Sequence, residues 1–157
     1  MHQEIPAELD CLAKSVVDAA FQVHKALGPG LLEAAYQACL EIELSKRGLS
    51  WSAQQLLPIR YEGVVVDGAF RIDLLVEGRV IVELKAVEQL LPIHSAQLLT
   101  YLRLSGNRLG FLINFNTPLN QKRHQANRSL KRAISVILVK LGVLGDLVVK
   151  GKNKCFS

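Results

Sequence analysis

Between Ile72 and Ala86 the even positions on either side of Gly78 are all apolar: Ile72, Leu74, Val76, Val80, Val82, Leu84 and Ala86. The odd positions include Asp73, Glu83 and Lys85. Strict alternation predicts two half-buried strands, because side chains reverse face at every residue. The three ionisable groups then share the face opposite the apolar set, in a hairpin turning near Glu77-Gly78.

The turn sets the register. A two-residue loop at Glu77-Gly78 pairs Val76 with Arg79 and puts Asp73 on the face of Val82, which buries a carboxylate. A three-residue loop with Gly78 in a left-handed conformation keeps both apolar sets together and brings Asp73 alongside Glu83. The three-residue loop, or an equivalent bulge, is the expected solution.

Two carboxylates with a lysine two residues after the second fit magnesium-dependent phosphodiester chemistry. Magnesium is held by one or two carboxylates, completed by waters and substrate phosphate. An ammonium at Lys85 is placed to orient or deprotonate the attacking water and to offset charge in the transition state. The plainer alternative is a solvated strand face with a cross-strand ion pair worth about 0.2–1 kcal/mol.

Upstream, Gly28-Pro29-Gly30 interrupts the pattern before Leu31-Leu32-Glu33-Ala34-Ala35-Tyr36. Glu33 therefore falls in the first turn of a new helix, where the helix dipole favours a negative charge. It is also an acidic group that a folded chain can bring to the hairpin.

Gly30, Glu33 and Tyr36 form a G-x-x-E-x-x-Y motif, followed in order by Asp73, Glu83-Leu84-Lys85, His94, Gln97-Leu98-Leu99-Thr100-Tyr101 and Gly110–Phe115. In this order the motifs resemble the GxxExxY family, a branch of the PD-(D/E)XK nuclease superfamily, from about Leu9 to about Arg132. The Gln97 to Tyr101 segment resembles the Q-x-x-x-Y motif of RecB-type nucleases. The resemblance implies a restriction-endonuclease-like α/β fold, a mixed sheet flanked by helices. It implies Asp73, Glu83 and the Leu84 carbonyl as metal ligands, Glu33 completing the acidic cluster, and Lys85 as a catalytic group. Gln97 and Tyr101 would position metal-bound water or substrate, and Tyr36 would lie near the site. The implied cofactor is Mg2+, with Mn2+ able to substitute, and cleavage would leave a 5′-phosphate and a 3′-hydroxyl. Ile72 stands before Asp73 where the superfamily name places proline, a position at which many members vary.

Spacing alone gives the next helix a similar geometry. His94, Gln97 and Tyr101 fall at i, i+3 and i+7 on one face, beside an apolar stripe of Leu98, Leu99 and Leu102. For His94, near the helix start, a capping role and a site role are both open. Tyr101 can equally be a core aromatic with a satisfied hydroxyl.

Charge is divided along the chain. Residues 1–88 hold thirteen Asp and Glu against eight Lys and Arg, whereas residues 89–157 hold one Asp against eleven Lys and Arg. A basic second half beside an acidic centre suits a polyanion. Lys122, Arg123, Arg128, Lys131 and Arg132 are the candidate phosphate contacts, their alternative being a solvated basic helix face.

The rest narrows the alternatives. A chain of 157 residues, half of them hydrophobic, is expected to be a single domain with a substantial core, and Lys150 to Ser157 a flexible basic tail. Cys11, Cys39 and Cys155 show no zinc spacing and read as reduced thiols of a cytoplasmic protein. The start has no secretory pattern, and the apolar run from Ile134 to Val149 is broken by Lys140 and Asp146, so no membrane association is expected. That run is read as a late helix and a short terminal strand, or as a surface packing on a partner. With no phosphate loop, H-E-x-x-H or G-x-S-x-G, no nucleotide cofactor is expected, and P-loop hydrolysis, zinc proteolysis and serine-hydrolase chemistry lack their parts. The leading expectation is a metal-dependent nuclease acting on DNA, with a homodimer as one arrangement that would cut both strands. The alternative is a nucleic-acid-binding or structural module that keeps the fold without cutting.

The coarse order of elements follows. Helices are predicted from Leu9 to Leu27 and from Leu31 to Lys46, with strand-like segments from Leu56 to Tyr61 and from Val64 to Val66. Strands at 69–76 and 79–86 come next, then a helix at 94–104, a strand at 108–115 and a basic helix after a polar loop.

Overall fold

The structure is a computed structural model that describes residues 5–117 and 135–140. Helix α1 spans Ala7–Leu27 and buries Leu9, Leu12, Val16, Ala19, Ala20 and Val23, the three-and-four spacing of a single stripe. Helix α2, Glu33–Lys46, buries Tyr36, Leu40 and Leu44 at successive turns. Arg47 ties the two helices, its guanidinium reaching Asp18 at 2.8 Å and Glu43 at 2.7 Å.

Five strands follow: β1 (Trp51–Tyr61), β2 (Val64–Val76), β3 (Val80–Lys85), β4 (Leu109–Asn114) and β5 (Ser135–Lys140). They form one sheet in the order β1-β2-β3-β4-β5, antiparallel except for the parallel β3–β4 pair. A parallel pair needs a crossover, and helix α3, Pro92–Ser105, supplies it. One sheet face carries α1 and α2 over Leu74, Val76, Val80, Val82, Leu84, Phe111 and Ile113. The other carries α3, whose Leu98, Tyr101 and Leu102 meet Leu57, Ile72, Ile81 and Leu112. This is the restriction-endonuclease-like mixed α/β fold.

The β2–β3 turn is the three-residue loop that the alternation required. Val76 pairs with Val80, Arg79 N–H donates to the Val76 carbonyl at 3.0 Å, and Gly78 takes φ +61°. Glu77 is also left-handed, at φ +52°. Its place is fixed by Ser50, whose N–H donates to the Glu77 carboxylate at 2.5 Å and whose carbonyl accepts the Glu77 N–H at 2.9 Å.

Three expectations are corrected. Strand β3 is not half-buried with a solvated polar face, because α3 covers that face and every residue through Leu84 is buried, whereas β2 keeps its alternation of buried and part-buried positions from Ile72 to Val76. Ile72 does not share a face with Leu74 and Val76. It packs with Ile81 and Leu98 on the α3 side, so β2 changes face at Asp73. Opposite it on β1, Gln54, between the pairs Ala53↔Leu74 and Gln55↔Ile72, has φ +55°, so the pleat is interrupted here without a change of register. Finally, the short segments before Ile72 are two long strands, β1 and β2. Beyond Leu57 their ribbon runs past the other strands and leaves Tyr61, Val64, Val65 and Val66 exposed.

Helix α3 sits close to β4 because residue 110 is glycine. A Cβ there would lie 2.8 Å from Leu98 Cδ1 and 3.4 Å from the Ile81 carbonyl oxygen. Within the late apolar run, Ser135–Lys140 pairs antiparallel with β4, so this part is a strand. The expected late helix, the basic helix and the tail lie outside the described residues. Cys11 and Cys39 are free thiols, and no helix among the described residues is long and apolar enough to cross a membrane.

Candidate active site

The end of β3 is the centre of the site. Glu83 and Lys85 are two residues apart on one face, and Lys85 Nζ contacts Glu83 Oε1 at 2.8 Å. Glu83 is only 2% exposed, covered by α3. Its second oxygen, Oε2, is buried without a hydrogen-bond partner among the described residues. Burial first, and then the negative charge of Asp73, push the Glu83 carboxyl up to about 7 against the pull of Lys85.

Asp73 reaches the site from β2. Its Oδ2 accepts the Leu84 N–H at 2.8 Å, just past Leu74↔Val82, the last β2–β3 pair. Burial raises its pKa, and the charge of Glu33 adds to this, while the Leu84 N–H and Lys85 oppose it. Burial draws the Lys85 ammonium down, but the Glu83 hydrogen bond and the charges of Glu83, Glu33 and Asp73 outweigh it, so its pKa is raised. Lys85 is therefore a cation embedded in acid.

Glu33 arrives from α2, where it is the first helical residue. It makes no bond that caps its own helix; its Oε1 accepts the Ala86 N–H at 3.1 Å, one residue past Lys85. Both the dipole-favoured position and the approach to the hairpin are realised. Tyr36 lies one turn further on and is fully buried. Its hydroxyl donates to the Gly28 carbonyl at 2.6 Å and accepts the Leu31 N–H at 3.2 Å. Tyr36 thus packs beneath the site as an anchor for the loop that carries Glu33.

On α3, Gln97 Nε2 donates to the Tyr101 hydroxyl. Tyr101 is 2% exposed and meets Phe70 edge-on, with ring centroids 5.7 Å apart. Its pKa is raised by burial and also by the charges of Glu83 and Asp73, which places it beside the acidic pair. His94 takes the capping role, its Nδ1 accepting the Leu91 N–H at 3.1 Å while its own N–H donates to the Leu91 carbonyl at 3.0 Å.

Two supporting residues escaped the sequence reading. Asn114, 3% exposed, donates to the Val87 carbonyl at 2.7 Å and accepts the Val87 N–H at 3.1 Å, fastening the chain just after Lys85. Its signal was present, as the one polar residue in the apolar strand before Phe115. Gln54 lies opposite Asp73 on β1 and favours its charged form. Nothing marked it, because the sequence pattern started that strand only at Leu56. Lys122, Arg123, Arg128, Lys131 and Arg132 lie outside the described residues.

Among the described residues, no three His, Cys, Asp or Glu side chains form a set that could hold a metal ion. Two do come together, Asp73 and Glu83. An unpartnered buried carboxylate oxygen and two mutually repelling acids are features that a hard divalent cation satisfies, with main-chain oxygen and water completing its shell.

The acidic centre thus lies where the end of β3 meets Asp73 on β2, with Lys85 following the second acid. The sequence profile of the PD-(D/E)XK nuclease superfamily matches residues 10–129, and the chain belongs to that superfamily. Its nucleases use divalent metal ions, usually Mg2+ or Mn2+. No curated protein matches the chain. Among solved structures, one titled "Crystal structure of SSO0001" is similar with a TM-score of 0.44 at 15% identity, covering 82% of this chain and 77% of that one.

Proposed function

We propose that this chain is a divalent-metal-dependent nuclease of the GxxExxY branch, hydrolysing phosphodiester bonds of DNA. The observation that carries the reading is the buried, half-unpartnered Glu83 carboxylate beside Asp73 and Lys85. A solvated strand face offers no reason to bury an acid at this cost.

In this reading Asp73 and Glu83 hold Mg2+, or Mn2+ in its place, with the Leu84 carbonyl as a further ligand and Glu33 adding negative charge from α2. The bound cation supplies Lewis-acid polarisation and a more acidic water. Lys85, with its raised pKa, acts as a fixed ammonium. It donates to the attacking oxygen or to a phosphate oxygen and offsets the charge that develops there. Gln97 and Tyr101 form a hydrogen-bonded pair at the wall of the site, suited to hold a water or a phosphate oxygen in line. Lys122, Arg123, Arg128, Lys131 and Arg132 would grip the backbone, and a second copy of the chain would cut the opposite strand of a duplex.

The test is cleavage of single-stranded, duplex and branched DNA with Mg2+ or Mn2+ by the wild-type chain, Glu83→Ala and Lys85→Ala. Cleavage that is metal-dependent and lost in both variants supports the reading. Tight, metal-independent binding to DNA with no cleavage of any substrate overturns it in favour of a non-catalytic nucleic-acid-binding module.

A further inference from the structure

From a closed circuit of contacts around the end of β3, we infer that Tyr36 is a positioning residue that holds Glu33 against Ala86. The circuit starts at Glu33, whose Oε1 accepts the Ala86 N–H at 3.1 Å. The neighbouring Lys85 carbonyl accepts the Phe115 N–H at 2.9 Å. The Phe115 ring stacks on Tyr36 with centroids 4.5 Å apart and planes 9° from parallel. One turn of α2 leads from Tyr36 back to Glu33.

The ring and the hydroxyl of Tyr36 do different work. The ring, fully buried against Phe115, fixes where α2 lies relative to β3 and β4. The hydroxyl fixes how α2 begins, since it binds both the Gly28 carbonyl and the Leu31 N–H. That entry segment contains Gly28 at φ +67° and Gly30 at φ +102°, and the N-cap residue Leu32 offers no side-chain cap. Without the hydroxyl, a glycine-rich entry and an uncapped first turn are free to fray, and Glu33 is the first residue lost. Leu31 and Leu32 are exposed, so packing gives the entry no substitute anchor.

Glu33 matters to a metal only if the nuclease reading holds, whereas its bond to Ala86 is a property of the fold. The decisive experiment is therefore amide hydrogen exchange on the metal-free protein, comparing wild type, Tyr36→Phe, Glu33→Ala and the double variant. Tyr36→Phe keeps the stacked ring and removes only the hydroxyl. Exchange at Ala86 is expected to quicken by about fivefold or more, the scale of one lost hydrogen bond, with Leu40 and Leu44 protected as in wild type. In the Glu33→Ala background the same substitution should change Ala86 no further, which a merely structural tyrosine would not produce. Unchanged exchange at Ala86, equal quickening at Leu40 and Leu44, or additivity in the double variant overturns the assignment. A parallel Mn2+ titration separates the two levels, because a wild-type chain that binds no Mn2+ overturns the metal site while the exchange data still decide Tyr36.

Discussion

The Asp73 carboxylate accepts the Leu84 N–H at 2.8 Å, immediately beyond the last main-chain pair of the β2–β3 ladder, Leu74↔Val82. One side chain thus ends a ladder and forms one edge of an acidic centre. The face change at Asp73, opposite Gln54, leaves the Leu84 N–H to a side chain where an unbroken β2 would offer a main-chain partner.

The two roles of Asp73 separate by substitution. Asp73→Asn keeps an oxygen to accept the Leu84 N–H and removes repulsion with Glu83, so stability in urea should stay near wild type while Mn2+ binding and cleavage fall. Asp73→Ala leaves the N–H without its acceptor and should cost about 1–3 kcal/mol in the same unfolding measurement.

Stability of the metal-free protein should fall as pH rises through the Glu83 window. The unfolded chain releases this proton near the ordinary 4.5, and the folded chain holds it up to about 7. Between those values the folded state binds more protons, so rising pH favours unfolding, and above the window the loss is complete. The loss from Glu83 alone is at most on the order of 3 kcal/mol. Urea unfolding from pH 4.5 to 8 measures it, and both Glu83→Gln and added Mg2+ should flatten the slope.

Removing Lys85 should divide binding from turnover. Lys85→Ala deletes a cation that competes for Glu83, so Mn2+ affinity should be at least that of wild type. Cleavage should fall by about a hundredfold or more, the scale for removing one group that stabilises transition-state charge. Titration calorimetry and single-turnover cleavage on the same preparation check both halves, and weakened Mn2+ binding would contradict the assigned role.

A methyl group at residue 110 should disturb the site from beneath. Gly110→Ala places a Cβ 2.8 Å from Leu98 Cδ1, next to Gln97 on α3. Overpacking of this kind costs about 1–3 kcal/mol. Thermal unfolding should report that loss, and slower cleavage with unchanged Mn2+ affinity would show that the lifted helix has moved Gln97 and Tyr101.

Much of this arrangement was legible in the residues themselves. The alternation around Gly78 was enough to choose a three-residue turn over a two-residue one, because the shorter loop buries Asp73 in the wrong layer. Helical spacing placed α1, α2 and α3 to within a few residues. Periodicity failed at Ile72, since it assumes an unbroken pleat and the pleat breaks at Asp73 and the facing Gln54. It also missed the start of β1, where the alternation of Trp51, Ser52, Ala53 and Gln54 is short and ends at Gln55. Alternation said nothing of what lay over the Glu83 face, which only the β3–α3–β4 crossover determines. Asn114 was visible as an oddity in an apolar strand, but its partner Val87 lies 27 residues away in sequence.

The parallel pairing of β3 bears on when the protein becomes competent. β3 makes three ladder pairs with β2 but six with β4, which emerges only after all of α3 has been made. A nascent chain halted before Leu109 already carries every acid assigned to the metal, yet lacks the strand that fixes Glu83 and Lys85 from the other side. The contacts that hold Glu83 and Lys85 from both sides therefore close only with a pairing that spans the whole crossover, a long-range contact in the chain.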